Sequence, residues 1–197
     1  MGGKCVAKSF IYILDLRLLY ISIALIFLSC KSQSFNDVNE IYNIVNTALN
    51  EYSSNYQFKL AEESNNYDIY RAFNVYAYNY KKHKETGEIR PAPMVKKGTE
   101  WVLNRKDIEY ISKQMKQDST KVKWNRDLIK APQVVFETGK RIVQVKLSKP
   151  FLNKDKTKAV IFLDEVLPPE YGYGYLLLLK KVGDNWVACG KIDYRVS

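Results

Sequence analysis

AVIFLDEV (159–166), YGYLLLLKKV (173–182) and WVACGKIDYRV (186–196) follow one another along the chain, and their reading decides the fold. Each has the length and the aromatic and branched apolar content of a β-strand. The links between them carry turn residues, Pro168-Pro169 and Gly183-Asp184-Asn185. They fall well short of the dozen or more residues that a parallel crossover needs, so the strands pair antiparallel. In the last strand, alternation puts Trp186, Ala188, Gly190, Ile192, Tyr194 and Val196 on one face. Val187, Cys189, Lys191, Asp193 and Arg195 take the other. This predicts a half-buried sheet with one face on a core.

Upstream, Val134–Phe136 or Arg141–Leu147 supplies a fourth strand, with a turn at Asn153-Lys154-Asp155. Two helices precede it. Val38, Ile41, Ile44, Val45, Ala48, Leu49 and Tyr52 recur at helical spacing and predict an amphipathic helix over 37–51. Ile108, Ile111 and Met115 predict a shorter one over 105–117, with Asn104 as cap and Asp107 as its N3 acid. Between them, Tyr76, Tyr78 and Tyr80 alternate with Val75, Ala77 and Asn79 and favour a strand. KKHKETGE (81–88) and Arg90-Pro91-Ala92-Pro93 predict a long exposed loop over 81–99. The polar stretch 118–133 is anchored by Trp124 and Leu128. A helix laid on an antiparallel meander of about four strands is an α+β fold.

At the other end, LLYISIALIFL (18–28) is an apolar run preceded by Lys4, Lys8 and Arg17, with Asp15 as the one acid before it. That is the layout of a secretory signal peptide. Phe10–Leu28 is nearly long enough to span a bilayer. However, Asp15 and Arg17 lie inside that window, each costing about 2.5–3.5 kcal/mol at a helix centre. Phe27-Leu28-Ser29-Cys30 resembles a bacterial lipobox. The resemblance implies cleavage before Cys30, lipidation of its thiol and acylation of the new amino terminus. Two or more acyl chains make a stable membrane anchor. The expected organisation is a signal peptide over 1–29, a lipidated tether over 30–36 and one α+β domain over 37–197. Residues 134–197 look like small lipoproteins of Bacteroidota, on the strength of Lys149-Pro150-Phe151, Val160-Ile161-Phe162-Leu163, Gly172-Tyr173-Gly174-Tyr175 and Trp186. Those in turn look broadly like cystatin-like or nuclear-transport-factor-like α+β domains. The resemblance implies a location in the cell envelope, on the outer membrane, and a fold; it carries no reaction and no site residue.

Composition narrows the chemistry. The 197 residues hold one histidine and three cysteines, which exclude a multi-histidine metal site within one chain, a four-cysteine zinc site and a disulfide framework. Net charge is +10; removing residues 1–29 takes three basic residues and one acid and leaves +8. With Cys5 in the signal and Cys30 lipidated, Cys189 stands alone as an inert strand thiol. His83 sits among Lys81, Lys82 and Lys84 and reads as a solvated loop residue. Asp164 and Glu165 are strand neighbours, so they face opposite ways and cannot share a proton. Gly172-x-Gly174 leads into a strand rather than a helix, which fails the dinucleotide fingerprint and reads as a bulge or tight packing. No catalytic residue, metal ligand or cofactor follows from these patterns.

What remains is surface. Tyr76, Tyr78 and Tyr80, Tyr171 and Tyr173, and the cations Lys154, Lys156 and Lys158 form the candidate binding surface. The leading expectation is a lipid-anchored, non-catalytic binding domain that meets an envelope protein or an anionic glycan or lipid, with no nucleic acid. Two others stand beside it: an immunity-type or accessory protein that blocks a specific partner protein, and an envelope hydrolase working through carboxylates.

Overall fold

A computed structural model describes residues 37–52, 57–87, 101–118, 120–136, 142–167 and 171–196. The expected signal segment 1–29, the expected tether 30–36 with Cys30, and the 88–99 part of the expected loop lie outside these residues.

The expected α+β architecture is present. Helix α1 covers 37–52. There follow β1 (Phe58–Leu60), α2 (Tyr67–Thr86), α3 (Arg105–Gln117), β2 (Val134–Val135), β3 (Gln144–Leu147), β4 (Phe151–Leu152), β5 (Lys158–Leu167), β6 (Tyr171–Val182) and β7 (Asn185–Val196). The described strands form one sheet in the order β2-β1-β3-β5-β6-β7, with β4 on β5. β3, β5, β6 and β7 are the expected antiparallel meander. Beyond it the sheet is mixed, because β1 pairs parallel with both β2 and β3.

From Ile41 onward the chain forms one compact unit; of residues 1–40, the described part is the first turn of α1. Within the larger unit both faces of the sheet are covered, where one buried face was expected. On one face Val45, Ala48, Leu49 and Tyr52 of α1 pack on Leu147, Ile161, Leu163, Leu177, Leu179 and Trp186. Helix α1 is also clamped to 125–130. The Tyr42 hydroxyl accepts from the Asn125 N–H (2.6 Å), and the Asn46 amide donates to Leu128 O (2.9 Å) and accepts from Lys130 N–H (2.7 Å). On the other face α2 and α3 bury Phe73, Tyr76, Ile108 and Ile111 against Val160, Phe162, Leu176, Leu178 and Ile192.

Trp186 and Ile192 therefore lie on opposite faces, which corrects the single-face reading of the last strand. The cause is a bulge. Leu179 pairs with Ala188 and Leu178 with Gly190, so Cys189 is the extra residue. One extra residue reverses the alternation beyond it. It delivers Ile192 and Tyr194 to the α2–α3 side while Trp186 stays on the α1 side.

A second correction concerns Tyr76–Tyr80, which belong to helix α2 and not to a strand. Over this length the helical set Ile69, Ala72, Phe73, Tyr76 and Asn79 is the buried one, and it overrides the short alternation. The same helix consumes 81–86 of the expected loop. It ends at Gly87, whose φ of 69° lets its N–H turn back to His83 O. His83 is thus helical, its ring stacked on Trp101 at 5.5 Å.

Candidate binding face

α2 and α3 run antiparallel. Ala77, Tyr80 and Lys84 of α2 share one groove with Arg105, Ile108 and Glu109 of α3. At the opposite end Ile69, Tyr70 and Arg71 share another with Met115 and Lys116. Local sequence sets this up. Asn104 and Asp107 make a reciprocal capping box at the start of α3: each side chain accepts the other residue's backbone N–H, at 3.0 and 3.1 Å. The outer stripe of α2 carries Tyr67, Arg71, Asn74 and Tyr78, all exposed.

The first groove, about 490 Å³, pairs Arg105 with Glu109 (2.8 Å) and Lys81 with Glu85 (3.8 Å), and its third cation, Lys84, lies 5.7 Å from the Tyr80 ring centre. The second, about 770 Å³, holds more unmatched charge. Its walls hold Tyr67, Tyr70, Arg71, Lys116 and Lys121, above a floor of Ile69, Met115 and Phe151. Its acid, Asp118, is already taken. The Lys149 ammonium, followed by the Thr120 hydroxyl, holds its carboxyl down at about 2. Lys121 reaches Glu63 only at 3.9 Å. Arg71 and Lys116 have no acid within ion-pair distance among the described residues.

The framework under this groove is tied together by half-buried and exposed hydrogen bonds. Asn66 bridges two segments, accepting from Lys149 N–H and donating to Thr120 O, both at 2.9 Å. Ser64 closes a reciprocal pair with Val122, through its hydroxyl and its own N–H, each at 2.8 Å. Tyr67 is left 74% exposed at the rim.

The residues expected to form a surface do not gather. Tyr76 is wholly buried, its hydroxyl accepting from Leu103 N–H at 3.3 Å and its acidity suppressed, chiefly by burial. Tyr78 is exposed on the outer stripe of α2, with the Lys82 ammonium 6.0 Å from its ring centre. Tyr80 is half-buried against Trp101. Tyr173 is exposed on β6, away from the helical layer's grooves, and the side chain of Tyr171 lies outside the described ones. Lys154 and Lys156 are exposed in the β4–β5 turn. Lys158 is not a free cation: it pairs with Asp107 at 2.8 Å and is largely buried. Sequence reasoning missed Tyr67, Tyr70, Arg71, Lys116 and Lys121. The spacing Tyr67, Arg71, Asn74, Tyr78 is one helical stripe, readable once the segment is taken as a helix.

Asp164 and Glu165 are both buried, on opposite faces as expected. Burial raises the Asp164 carboxyl, Lys146 opposes this and Asp68 adds to it, yet none of these acids lines either groove. Among the described residues there is no cluster of three or more His, Cys, Asp and Glu able to hold a metal, and no helix long and apolar enough to cross a membrane. No family model, curated protein or solved structure matches this chain.

Proposed function

We infer that this chain is an envelope lipoprotein anchored through Cys30, whose folded domain is a non-catalytic binding module with an anionic partner. One observation carries the binding reading: the uncompensated Arg71 and Lys116 beside Tyr67, in a groove whose own acid is neutralised by Lys149. Cations without counter-ions on a fixed framework favour encounter with negative charge, and exposed tyrosine rings add contact area at low entropic cost. The net +8 of residues 30–197 supports the same sign of partner.

The test is binding of the full chain, held in neutral detergent micelles, to phosphatidylglycerol vesicles, polygalacturonate and poly-glutamate. Binding to at least one is expected at low salt. It should weaken as the screening length falls from about 10 Å at 0.1 M salt to about 3 Å at 1 M. Failure to bind all three at low salt overturns the anionic-partner reading. Anchoring is tested separately: Cys30→Ala should block signal processing or release the domain from membranes, and unchanged processing with full retention would remove the lipoprotein reading.

A further inference from the structure

We propose that the groove between the start of α2 and the end of α3 is a site for an acidic polysaccharide strand, a chain of carboxylate-bearing sugars. The proposal rests on the anionic-partner reading above and narrows it to one chemistry and one place.

Three features of the groove select that chemistry. The first is its alternation of flat rings and cations. Tyr67 and Tyr70 stand beside Arg71 on α2, and Lys116 faces them from α3. The C–H faces of a pyranose suit an aromatic ring, and the carboxylate carried on the same sugar is placed to meet a guanidinium or ammonium. Arg71 in particular offers the planar fork that matches a carboxylate in bidentate fashion.

The second is the floor. Ile69, Met115 and Phe151 lie beneath the walls but are each less than a tenth exposed. They close the groove but leave little aliphatic side-chain surface of their own for a ligand, so the apolar surface on offer is chiefly the Tyr67 and Tyr70 rings. An amphipathic helix instead seats apolar anchors at helical spacing in a hydrophobic groove. A plane of lipid headgroups can reach the exposed cations Arg71 and Lys116 but brings no sugar face to the Tyr67 and Tyr70 rings.

The third is backbone chemistry. An extended acidic peptide docks most effectively by adding a strand to a free sheet edge. Here the long walls are helices, whose backbone groups are already paired within the helix. A sugar chain asks for side-chain charge, ring faces and a groove of this size, which falls within the range of small-ligand sites.

The experiment compares polygalacturonate with neutral dextran, phosphatidylglycerol vesicles and poly-glutamate, using the full chain in neutral micelles and four variants: Tyr67→Ala, Tyr67→Phe, Arg71→Ala and Lys116→Ala. All three positions are on the groove's walls rather than in its buried floor, and an unchanged melting temperature confirms that each variant folds. Saturable binding to polygalacturonate but not to dextran is expected. Arg71→Ala, Lys116→Ala and Tyr67→Ala should each weaken it by about tenfold, which is about 1.4 kcal/mol, and Tyr67→Phe should leave it within twofold. Equal binding to poly-glutamate, with no effect of Tyr67→Ala on either polymer, would overturn the proposal while leaving a plain electrostatic module standing. The same holds if vesicles bind and polygalacturonate does not. Failure to bind any anionic material overturns both readings.

Discussion

Gly174 lies directly against the ring of Phe162. A β-carbon at 174 would collide with the tip of that ring and stand 2.9 Å from the carbonyl oxygen of Tyr194. Phe162 is itself buried in the layer beneath α2 and α3 and meets Tyr194 edge-on at 5.9 Å. The glycine of Gly172-x-Gly174 is therefore a packing device, as its place in a strand suggested. Gly174→Ala should destabilise the domain by about 1–3 kcal/mol through overpacking. For a chain of this size that is a fall in Tm of about 2–4 °C per kcal/mol. Unchanged thermal melting would show that the ring yields freely and would remove the argument.

The bulge at Cys189 makes a sharper claim. Beyond it, Gly190, Ile192 and Tyr194 pair with Leu178, Leu176 and Gly174 on the α2–α3 side; before it, Trp186 and Ala188 pair with Lys181 and Leu179 on the α1 side. Deleting Cys189 restores strict alternation and forces one of the two sets onto the wrong face. The deletion should cost more than about 3 kcal/mol, comparable to emptying a large core site. Cys189→Ala keeps the extra residue and should stay within about 1 kcal/mol of the parent. Urea unfolding of the two variants checks this, and equal stabilities would refute the bulge as the device that places Ile192.

The same bulge shows where sequence reading stops. The three long strands and their antiparallel order are legible because turn residues and apolar runs are local signals, and so is α3, because Asn104 and Asp107 state its cap outright. A bulge is set by what packs on each side of the strand, and alternation alone assigns Ile192 to the face of Trp186. β1, three residues from Phe58 to Leu60, is too short to read and finds its parallel partners in Val134 and Gln144, far along the chain. The alternation around Tyr76, Tyr78 and Tyr80 is real but brief, and burial of one helical stripe outweighs it. The second groove is illegible for the same reason: Arg71 and Lys116 become neighbours only when α2 and α3 pack antiparallel.

Asp164 supplies a prediction with a definite pH sign. Its side chain is buried on the α2–α3 side; burial raises its pKa, Lys146 on β3 works against that, and Asp68 on α2 adds to it. A carboxyl whose folded pKa is raised holds its proton better in the folded state. Its ionised form therefore costs stability above that folded pKa, and below the unfolded value near 3.9 the difference disappears. Asp164→Asn removes the ionisation. It should raise the Tm at pH 7, with the gain shrinking as pH falls toward 4. Melting curves at pH 4 and 7 decide it; a loss of stability at pH 7 would mean that the Lys146 attraction outweighs burial.

Asp107 carries the opposite sign and joins more of the fold. One carboxylate caps α3 by accepting from Asn104 N–H (3.1 Å), binds the Lys158 ammonium (2.8 Å) and accepts from the Asn153 amide (3.0 Å). The other side of the Asn153 amide accepts from Thr157 and Lys158 N–H (2.9 and 3.0 Å) and so shapes the β4–β5 turn. Burial alone would raise this carboxyl, but the Lys158 and Asn153 hydrogen bonds, followed by Asn104 N–H, outweigh it and hold the pKa below the usual carboxylate value. A depressed folded pKa contributes stability that is complete above the unfolded value near 3.9 and is lost as pH falls through the folded one. Asp107→Ala should cost about 2–4 kcal/mol at pH 7, because it leaves Lys158 and Asn153 largely buried without their partner. The variant should also lose part of the parent's acid sensitivity below pH 4, since the group that titrates there is gone. Asp107→Asn keeps a capping oxygen and should fall between the two at pH 7. If both variants matched the parent at pH 7, the Asp107–Lys158 pair would be a surface contact of no energetic weight.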